Sequence, residues 1–137
     1  MVNMDDVAYL AVDDDPRMRR ILEVIFTYTL PSRQVAIFED STDFEACIQA
    51  LPFVPTLTFL DIAVQPLDGF QMLQIIRAQP RFRGTLVVAL TARVMPEDVQ
   101  RMRACGFDGL ISKPIIRQVF PELVQRILAG ESIWYVA

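Results

Sequence analysis

Histidine is absent from this sequence of 137 residues, and cysteine occurs only twice. Without histidine, no Ser-His or Cys-His catalytic arrangement is available. Cys47 and Cys105 lie far apart and form no CxxC motif, which argues against a zinc site. The two cysteines fit buried structural thiols in a reducing compartment. Any chemistry therefore depends on carboxylates, a lysine, hydroxyl groups or a bound metal.

Long apolar runs are also missing, since none approaches the roughly 20 residues that cross a bilayer. The first residues, MVNMDD, lack the charged-then-apolar pattern of a secretion signal, so we expect a cytoplasmic protein without membrane insertion. An excess of acidic residues, 17 against 13 basic, disfavours direct binding of nucleic acid. Hydrophobic and charged contents of 53% and 22% are typical of one soluble globular domain.

What the sequence does contain is an alternation of short apolar runs with amphipathic stretches. The predicted strands are Val7–Val12, Gln34–Phe38, Thr56–Leu60, Thr85–Leu90 and Leu110–Ser112. Apolar residues at i, i+3 and i+4 between them predict helices, the first capped by Asp15 and the second by Asp40 or Ser41. The fourth helix directs Cys105 inward and ends at Gly106. Nearly continuous apolar strands favour an α/β fold with a parallel sheet and helices on both faces.

The C-terminal end follows Gly130 and contains Trp134-Tyr135. Two interpretations stay open for residues 131–137: packing back on the body, or contact with a partner. Only nine residues follow Leu128, too few for an output domain. We therefore expect one domain over residues 1–130 and a short tail over residues 131–137.

Polar side chains interrupt the apolar pattern where strands one, three, four and five end. They are Asp13 and Asp14, Asp61, Thr91, and Lys113, respectively. Ligands of open α/β sheets bind at this carboxyl edge. Converging carboxylates repel each other unless a divalent cation such as Mg²⁺ binds between them. Lys113 then supplies a charge for a phosphate and Thr91 a hydroxyl donor, while a carboxylate is a nucleophile that forms an acyl phosphate.

Each of these residues, taken alone, is as readily an ordinary turn or capping residue. Asp15 is interpreted as a helix cap, and Asp68-Gly69 by itself is a common turn signal. A functional site is indicated because polar residues of these types occur together at the ends of four strands in one series of strand–helix units.

At these residues the sequence resembles the receiver domain of response regulators, the CheY-like family of two-component signal transduction. The anchors of the resemblance, spread over residues 7–129, are Val12-Asp13-Asp14, Leu60-Asp61, Asp68-Gly69, Leu90-Thr91-Ala92 and Lys113-Pro114. The resemblance implies a flavodoxin-like (βα)5 fold with strand order 2-1-3-4-5. It also implies that a sensor histidine kinase or a histidine phosphotransfer protein donates a phosphoryl group.

The resemblance further implies a role for each residue of the site. Asp61 is the phosphoacceptor. Asp14 binds Mg²⁺ directly, Asp13 binds it through a water, and the carbonyl of Ala63 completes the protein ligands with Asp61. Thr91 moves to the phosphoryl oxygens and Lys113 pairs with them. The same site assists slow hydrolysis, so the domain is a signalling phosphoacceptor with weak autophosphorylation and autodephosphorylation activity, not a dedicated enzyme.

Three features depart from the family pattern. Residues 64–66 read Val-Gln-Pro where the family has Met-Pro directly after position 63, which indicates a different loop path. Leu110 occupies the place of an aromatic residue that turns with Thr91 during switching. Ala63 and Arg93 occupy the two positions that tune hydrolysis, and an exposed Arg93 without a role is the alternative.

Output is expected as a protein–protein contact on the surface of the last two helices and the fifth strand. A stand-alone receiver is preferred over one excised from a longer protein, and a relay role fits equally well. Among other classes, a haloacid dehalogenase phosphatase needs an aspartate at position 63, where this chain has alanine. A flavodoxin needs a phosphate loop where this chain has three aspartates. A receiver-shaped interaction module acting without phosphorylation is the remaining alternative.

Overall fold

Residues 6–137 are described by a computed structural model, in which six strands form a single sheet. They are β1 (Tyr9–Val12), β2 (Val35–Phe38), β3 (Leu57–Leu60), β4 (Leu86–Thr91), β5 (Gly109–Ser112) and β6 (Trp134–Tyr135). All neighbours are parallel, in the order β2-β1-β3-β4-β5-β6. The flavodoxin-like order 2-1-3-4-5 is thereby confirmed. The first five positions of the predicted domain over residues 1–130 lie outside the described part.

Five α-helices connect or follow the strands. They are α1 (Pro16–Val24), α2 (Phe44–Gln49), α3 (Gly69–Ala78), α4 (Pro96–Cys105) and α5 (Phe120–Leu128), with a π-helical continuation of α1 over Ile25–Thr29 and a 3₁₀ turn over Pro80–Phe82. The Asp15 side chain accepts the backbone N–H of Arg17, as predicted for the cap of α1. Gly106 ends α4 with φ of 99°, which a residue with a Cβ rarely adopts. Both helix boundaries are therefore set by local sequence.

The predicted cap of α2 by Asp40 or Ser41 is wrong. Asp43 is the residue that precedes the helix, and the Asp40 carboxylate instead accepts the N–H of Thr42 at 2.8 Å. The Ser41 hydroxyl lies 2.7 Å from both the N–H and the carbonyl of Leu67, in the loop after β3. The Ser41 side chain, which local sequence assigned to a helix cap, therefore binds the backbone of Leu67 instead.

Two hydrophobic cores lie on opposite faces of the sheet. One includes Leu22 and Phe26 from α1 and its continuation, together with residues of α5. The other combines α2, α3 and Met102 of α4. Within β1, alternate residues belong to alternate cores, because successive side chains of a strand point to opposite faces. The helices on both faces were predicted, and this arrangement leaves the carboxyl edge of the sheet free for polar loops.

The two thiols are not buried, contrary to expectation. Cys105 is exposed and Cys47 is only half-buried. The inward face of α4 is provided by Met102, and Phe107, just after the helix, fills the core where Cys105 was expected. None of the described helices is long and apolar enough to span a membrane.

The tail packs on the body of the domain. Trp134–Tyr135 forms β6 and pairs in parallel with β5, with Leu110 opposite Trp134 and Ile111 opposite Tyr135. The sixth strand was not predicted, and it covers the edge of β5 that a five-stranded sheet leaves open.

Candidate functional site

Three carboxylates meet at the carboxyl edge of the sheet. Asp13 and Asp14 follow β1, and Asp61 follows β3, the neighbouring strand. One oxygen from each of the three lies within 4.8 Å of the others. Asp13 and Asp61 are 1% and 6% exposed, whereas Asp14 faces solvent. The cluster is thus a pocket with two buried acids and one at its mouth.

Lys113 enters this cluster from the end of β5. Its ammonium nitrogen lies 2.6 Å from Asp13 Oδ2 and 2.9 Å from Asp61 Oδ2. The backbone N–H of Lys113 donates to the carbonyl of Thr91 at 2.9 Å, which ties the ends of β4 and β5 together. Three ionised carboxylates and one ammonium leave two negative charges in the pocket.

Burial and charge act in opposite directions on this site. Burial raises the pKa of Asp13 above its ordinary value, and the neighbouring Lys113 only partly opposes this. Burial acts to lower the pKa of Lys113, but hydrogen bonds and charge from Asp13 and Asp61 outweigh it, so that pKa is raised. Lys113 is therefore stabilised in its charged form, whereas burial disfavours the charged form of Asp13.

The carboxylate pocket fits a divalent cation. Asp13 Oδ2 is buried, and the Lys113 ammonium lies 2.6 Å from it. One ammonium does not balance three carboxylates, and a bound cation would neutralise the remaining negative charge. Oxygen donors with a net charge of minus two match the hard cations Mg²⁺ and Ca²⁺. The acidic pocket can therefore hold a metal ion.

The remaining predicted residues surround the pocket at different distances from its chemistry. Thr91 is fully buried at the end of β4, and its hydroxyl oxygen accepts the N–H of Arg93 at 3.1 Å. Ala63 is exposed beside the pocket and donates its N–H to Asp61 Oδ1 at 3.2 Å. Arg93 points to Asp98 of α4, 3.9 Å away, rather than into the cluster. Leu110 is fully buried in the α2–α3–α4 core.

Two further residues support the site, and neither was assigned a role in it from sequence. Arg19 of α1 donates from Nη1 to the backbone carbonyl of Asp13 at 3.0 Å and so holds the loop after β1. A Cβ on Gly69 would lie 2.8 Å from Ile62 Cα and 3.1 Å from the carbonyl oxygen of Asp61. Gly69 lets α3 start directly against the acidic loop. Its only sequence signal was the Asp68-Gly69 pair.

Comparison with known proteins defines the class to which this fold belongs. The family profile described as "Response regulator receiver domain" matches residues 9–127. Response regulator Rre1 of Synechocystis sp. is 31% identical over 136 residues, covering 93% of this chain and 54% of its own length. The signal receiver domain of a histidine kinase from Syntrophus aciditrophicus has a TM-score of 0.76 at 27% identity, covering 96% of this chain and 99% of that one. Chemotaxis response regulator CheY4 of Vibrio cholerae shares the fold, with a TM-score of 0.76 at 24% identity over 88% of this chain and 98% of its own.

The family that this profile describes consists of signalling domains rather than dedicated enzymes. The chain belongs to the response regulator receiver domain family of two-component systems. It spans about half the length of the first curated relatives that it matches. As a receiver domain, it is one component of two-component signalling.

Proposed function

We propose that this domain accepts a phosphoryl group on the carboxylate of Asp61 from a sensor histidine kinase or a histidine phosphotransfer protein. The observation that supports this most directly is the ammonium of Lys113 between Asp13 and Asp61 in a pocket with two excess negative charges. A carboxylate oxygen of Asp61 attacks the phosphorus, the bond between phosphorus and the donor's imidazole nitrogen breaks, and its electron pair stays on that nitrogen. The product is an acyl phosphate.

Each neighbouring residue has a proposed part in this transfer. Asp14 binds the metal directly, Asp13 acts through a water, and the carbonyl of Ala63 adds a third protein oxygen. Mg²⁺ in this pocket would neutralise charge on the transferring phosphoryl group. Lys113 then turns its ammonium to the phosphoryl oxygens, and the Thr91 hydroxyl, whose oxygen now accepts from the N–H of Arg93, donates a hydrogen bond to them. Slow hydrolysis by water at the same site returns Asp61 to its free form.

The surface of α4, β5 and α5 carries the output of the domain. The domain signals to a downstream protein through this α4–β5–α5 face, with residues 1–130 as the receiver and residues 131–137 as its tail. Thr91 and Lys113 connect the site to this face, because Thr91 ends β4 and Lys113 directly follows β5. Leu110 repacks when they move, whereas Ala63 and Arg93 set the lifetime of the phosphoryl group.

Intact mass spectrometry tests the acceptor. With acetyl phosphate and Mg²⁺ the native chain gains a single phosphoryl group of about 80 Da, and omitting Mg²⁺ or introducing Asp61→Asn abolishes the gain. Asp15→Asn is the matched control, because an asparagine retains the capping oxygen at this exposed position and leaves the pocket intact. A native chain without the adduct, or an equal adduct on Asp61→Asn, would refute the assignment and favour an interaction module that acts without phosphorylation.

A further inference from the structure

The tail is held on the α4–β5–α5 face by contacts along its whole length. The N–H of Leu110 donates to the carbonyl of Ile133 at 2.8 Å, and the N–H of Ala137 donates to the Ser112 hydroxyl at 2.8 Å. Ile133 is 7% exposed, within the α1–α5 core. Arg103 of α4 stacks on the Trp134 ring, 4.2 Å from its centroid. These contacts join the tail to both faces of the sheet.

Gly109 makes this docking possible. A Cβ at position 109 would lie 2.5 Å from the carbonyl oxygen of Ile133, closer than non-bonded atoms approach. The other close residue is Val88, whose methyl group lies at 3.7 Å, an ordinary contact. An alanine at position 109 therefore clashes with the tail rather than with the rest of the domain.

The strand that carries the tail also carries the site. Lys113, whose ammonium contacts Asp61, directly follows Ser112, whose hydroxyl anchors Ala137. On the other edge of β5, Ser112 stands opposite Thr91 in the register with β4. The tail anchor and the lysine that must respond to any change at Asp61 are therefore consecutive residues.

We propose that Ile133–Ala137 is an internal regulatory strand, which covers the edge of β5 while Asp61 is free and leaves it when Asp61 is phosphorylated. This inference rests on the proposed function of Asp61. A phosphoryl group adds charge and places its oxygens beyond the carboxylate that Lys113 now contacts. The side chains of Lys113 and Thr91 must reorient toward the phosphoryl oxygens, and Ser112, which lies next to Lys113 in the chain, moves with them. Because the Ala137 bond is already at optimal length, displacement of Ser112 weakens it.

Release of the tail would uncover a binding surface for the output partner. The backbone groups of β5 that now pair with Ile133 and β6 would become an open parallel edge. Such an edge accepts an extended segment of another chain as an added strand. The partner and the tail therefore compete for the same edge, and binding of one disfavours binding of the other.

The fluorescence of Trp134 tests this proposal, because it is the only tryptophan of the chain. Acetyl phosphate and Mg²⁺ are added, and the fraction of Asp61 adduct is measured by intact mass on the same sample. We expect the emission to move to longer wavelength and quenching by acrylamide to increase in proportion to the adduct. Amide exchange of Leu110 should become roughly tenfold faster, equivalent to about 1.4 kcal/mol. Asp61→Asn should show none of these changes.

Two glycine variants separate the tail from the site. Gly109→Ala, unmodified, should already have the emission of the phosphorylated native chain, and Gly84→Ala, where a Cβ meets nothing within 4 Å, should not. Ser112→Ala removes only the anchor of Ala137 and should give a smaller change in the same direction.

Each outcome decides the proposal. An adduct on Asp61 with unchanged emission and exchange, or with slower exchange, would overturn the regulatory strand and leave phosphoryl acceptance standing. Absence of the adduct would overturn both.

Discussion

Replacing Lys113 by methionine is the perturbation for which the structure allows a magnitude to be worked out. The lysine side chain is 16% exposed, and those of Asp13 and Asp61 are 2% and 9% exposed, so both ion pairs are largely shielded from water. Removing one partner of a buried pair costs about 3–5 kcal/mol, because an uncompensated charge stays behind. Asp13 can relieve part of this by taking up a proton, since its pKa is already raised by burial. We therefore expect a loss of about 3 kcal/mol in the metal-free protein.

The assay is urea unfolding of both proteins at neutral pH, in EDTA and in Mg²⁺. Without Lys113 the pocket holds three carboxylates and no ammonium, so it should attract the cation more strongly. We expect Mg²⁺ to stabilise Lys113→Met more than the native chain, by up to about 1.4 kcal/mol at saturating Mg²⁺ if its affinity is tenfold higher. Acceptance of the phosphoryl group should nevertheless fall, because the lysine no longer meets the phosphoryl oxygens.

An exposed ion pair provides the control. Arg20 pairs with Glu23 at 3.4 Å on the surface of α1, and its side chain is 78% exposed. Arg20→Met should cost less than about 1 kcal/mol in EDTA and leave the effect of Mg²⁺ unchanged. If Lys113→Met lost no more stability than Arg20→Met, or if Mg²⁺ stabilised it no more than the native chain, the electrostatic account of the pocket would be wrong.

The remaining predictions concern the metal, the pH dependence and the close approach of α3. Asp14→Ala should weaken Mg²⁺ binding at least tenfold, equivalent to about 1.4 kcal/mol. It should have little effect on folding, because Asp14 is exposed. Unchanged Mg²⁺ affinity in a calorimetric titration would show that Asp14 is not a metal ligand. Because the pKa of Lys113 is raised above 10.5 in the folded state, the stability that its charge contributes is complete below pH 10.5 and is lost as pH rises through the folded pKa. Burial also raises the pKa of Tyr9, so the lysine is isolated by the difference in unfolding free energy between the native chain and Lys113→Met at each pH. A difference that does not change with pH would contradict the ion pairs. Gly69→Ala should lower the free energy of unfolding by about 1–3 kcal/mol through overpacking, because its Cβ would lie 2.8 Å from the backbone of Ile62. Gly84→Ala should cause no such loss, because a Cβ there meets nothing within 4 Å. Equal thermal unfolding of the two variants would contradict the close packing of α3.

Much of the fold was predictable because its signals are local. Asp15-Pro16 starts α1 through a cap and a fixed φ, and Gly106 ends α4 because its φ is positive. The apolar runs identified the first five strands with boundaries within two residues. Wherever a boundary depended on a contact distant in sequence, as for Ser41 and Leu67, the local interpretation was wrong.

The candidate site was predictable for a related reason. In a parallel sheet every strand ends at the same edge, so polar residues that terminate apolar runs must meet. Asp13, Asp61 and Lys113 do lie together in the structure, within ion-pair distances. Their proposed roles in phosphoryl transfer remain predictions. Arg19 was missed because nothing in its surroundings distinguishes it from neighbouring arginines of the same helix.

By itself, then, the sequence determined which residues end the strands, and hence that carboxylates and a lysine share one edge of a parallel sheet. Strand and helix periodicity are properties of neighbouring residues, which is why this much was accessible. Only the tertiary structure decided that Asp13 is buried and Asp14 exposed, and that Trp134–Tyr135 closes the edge of β5 as a sixth strand. A two-residue strand has no periodicity of its own. Its position depends on the open edge of β5, on Gly109 beside Ile133 and on the Ser112 hydroxyl that binds Ala137. These features are brought together only when the chain has folded.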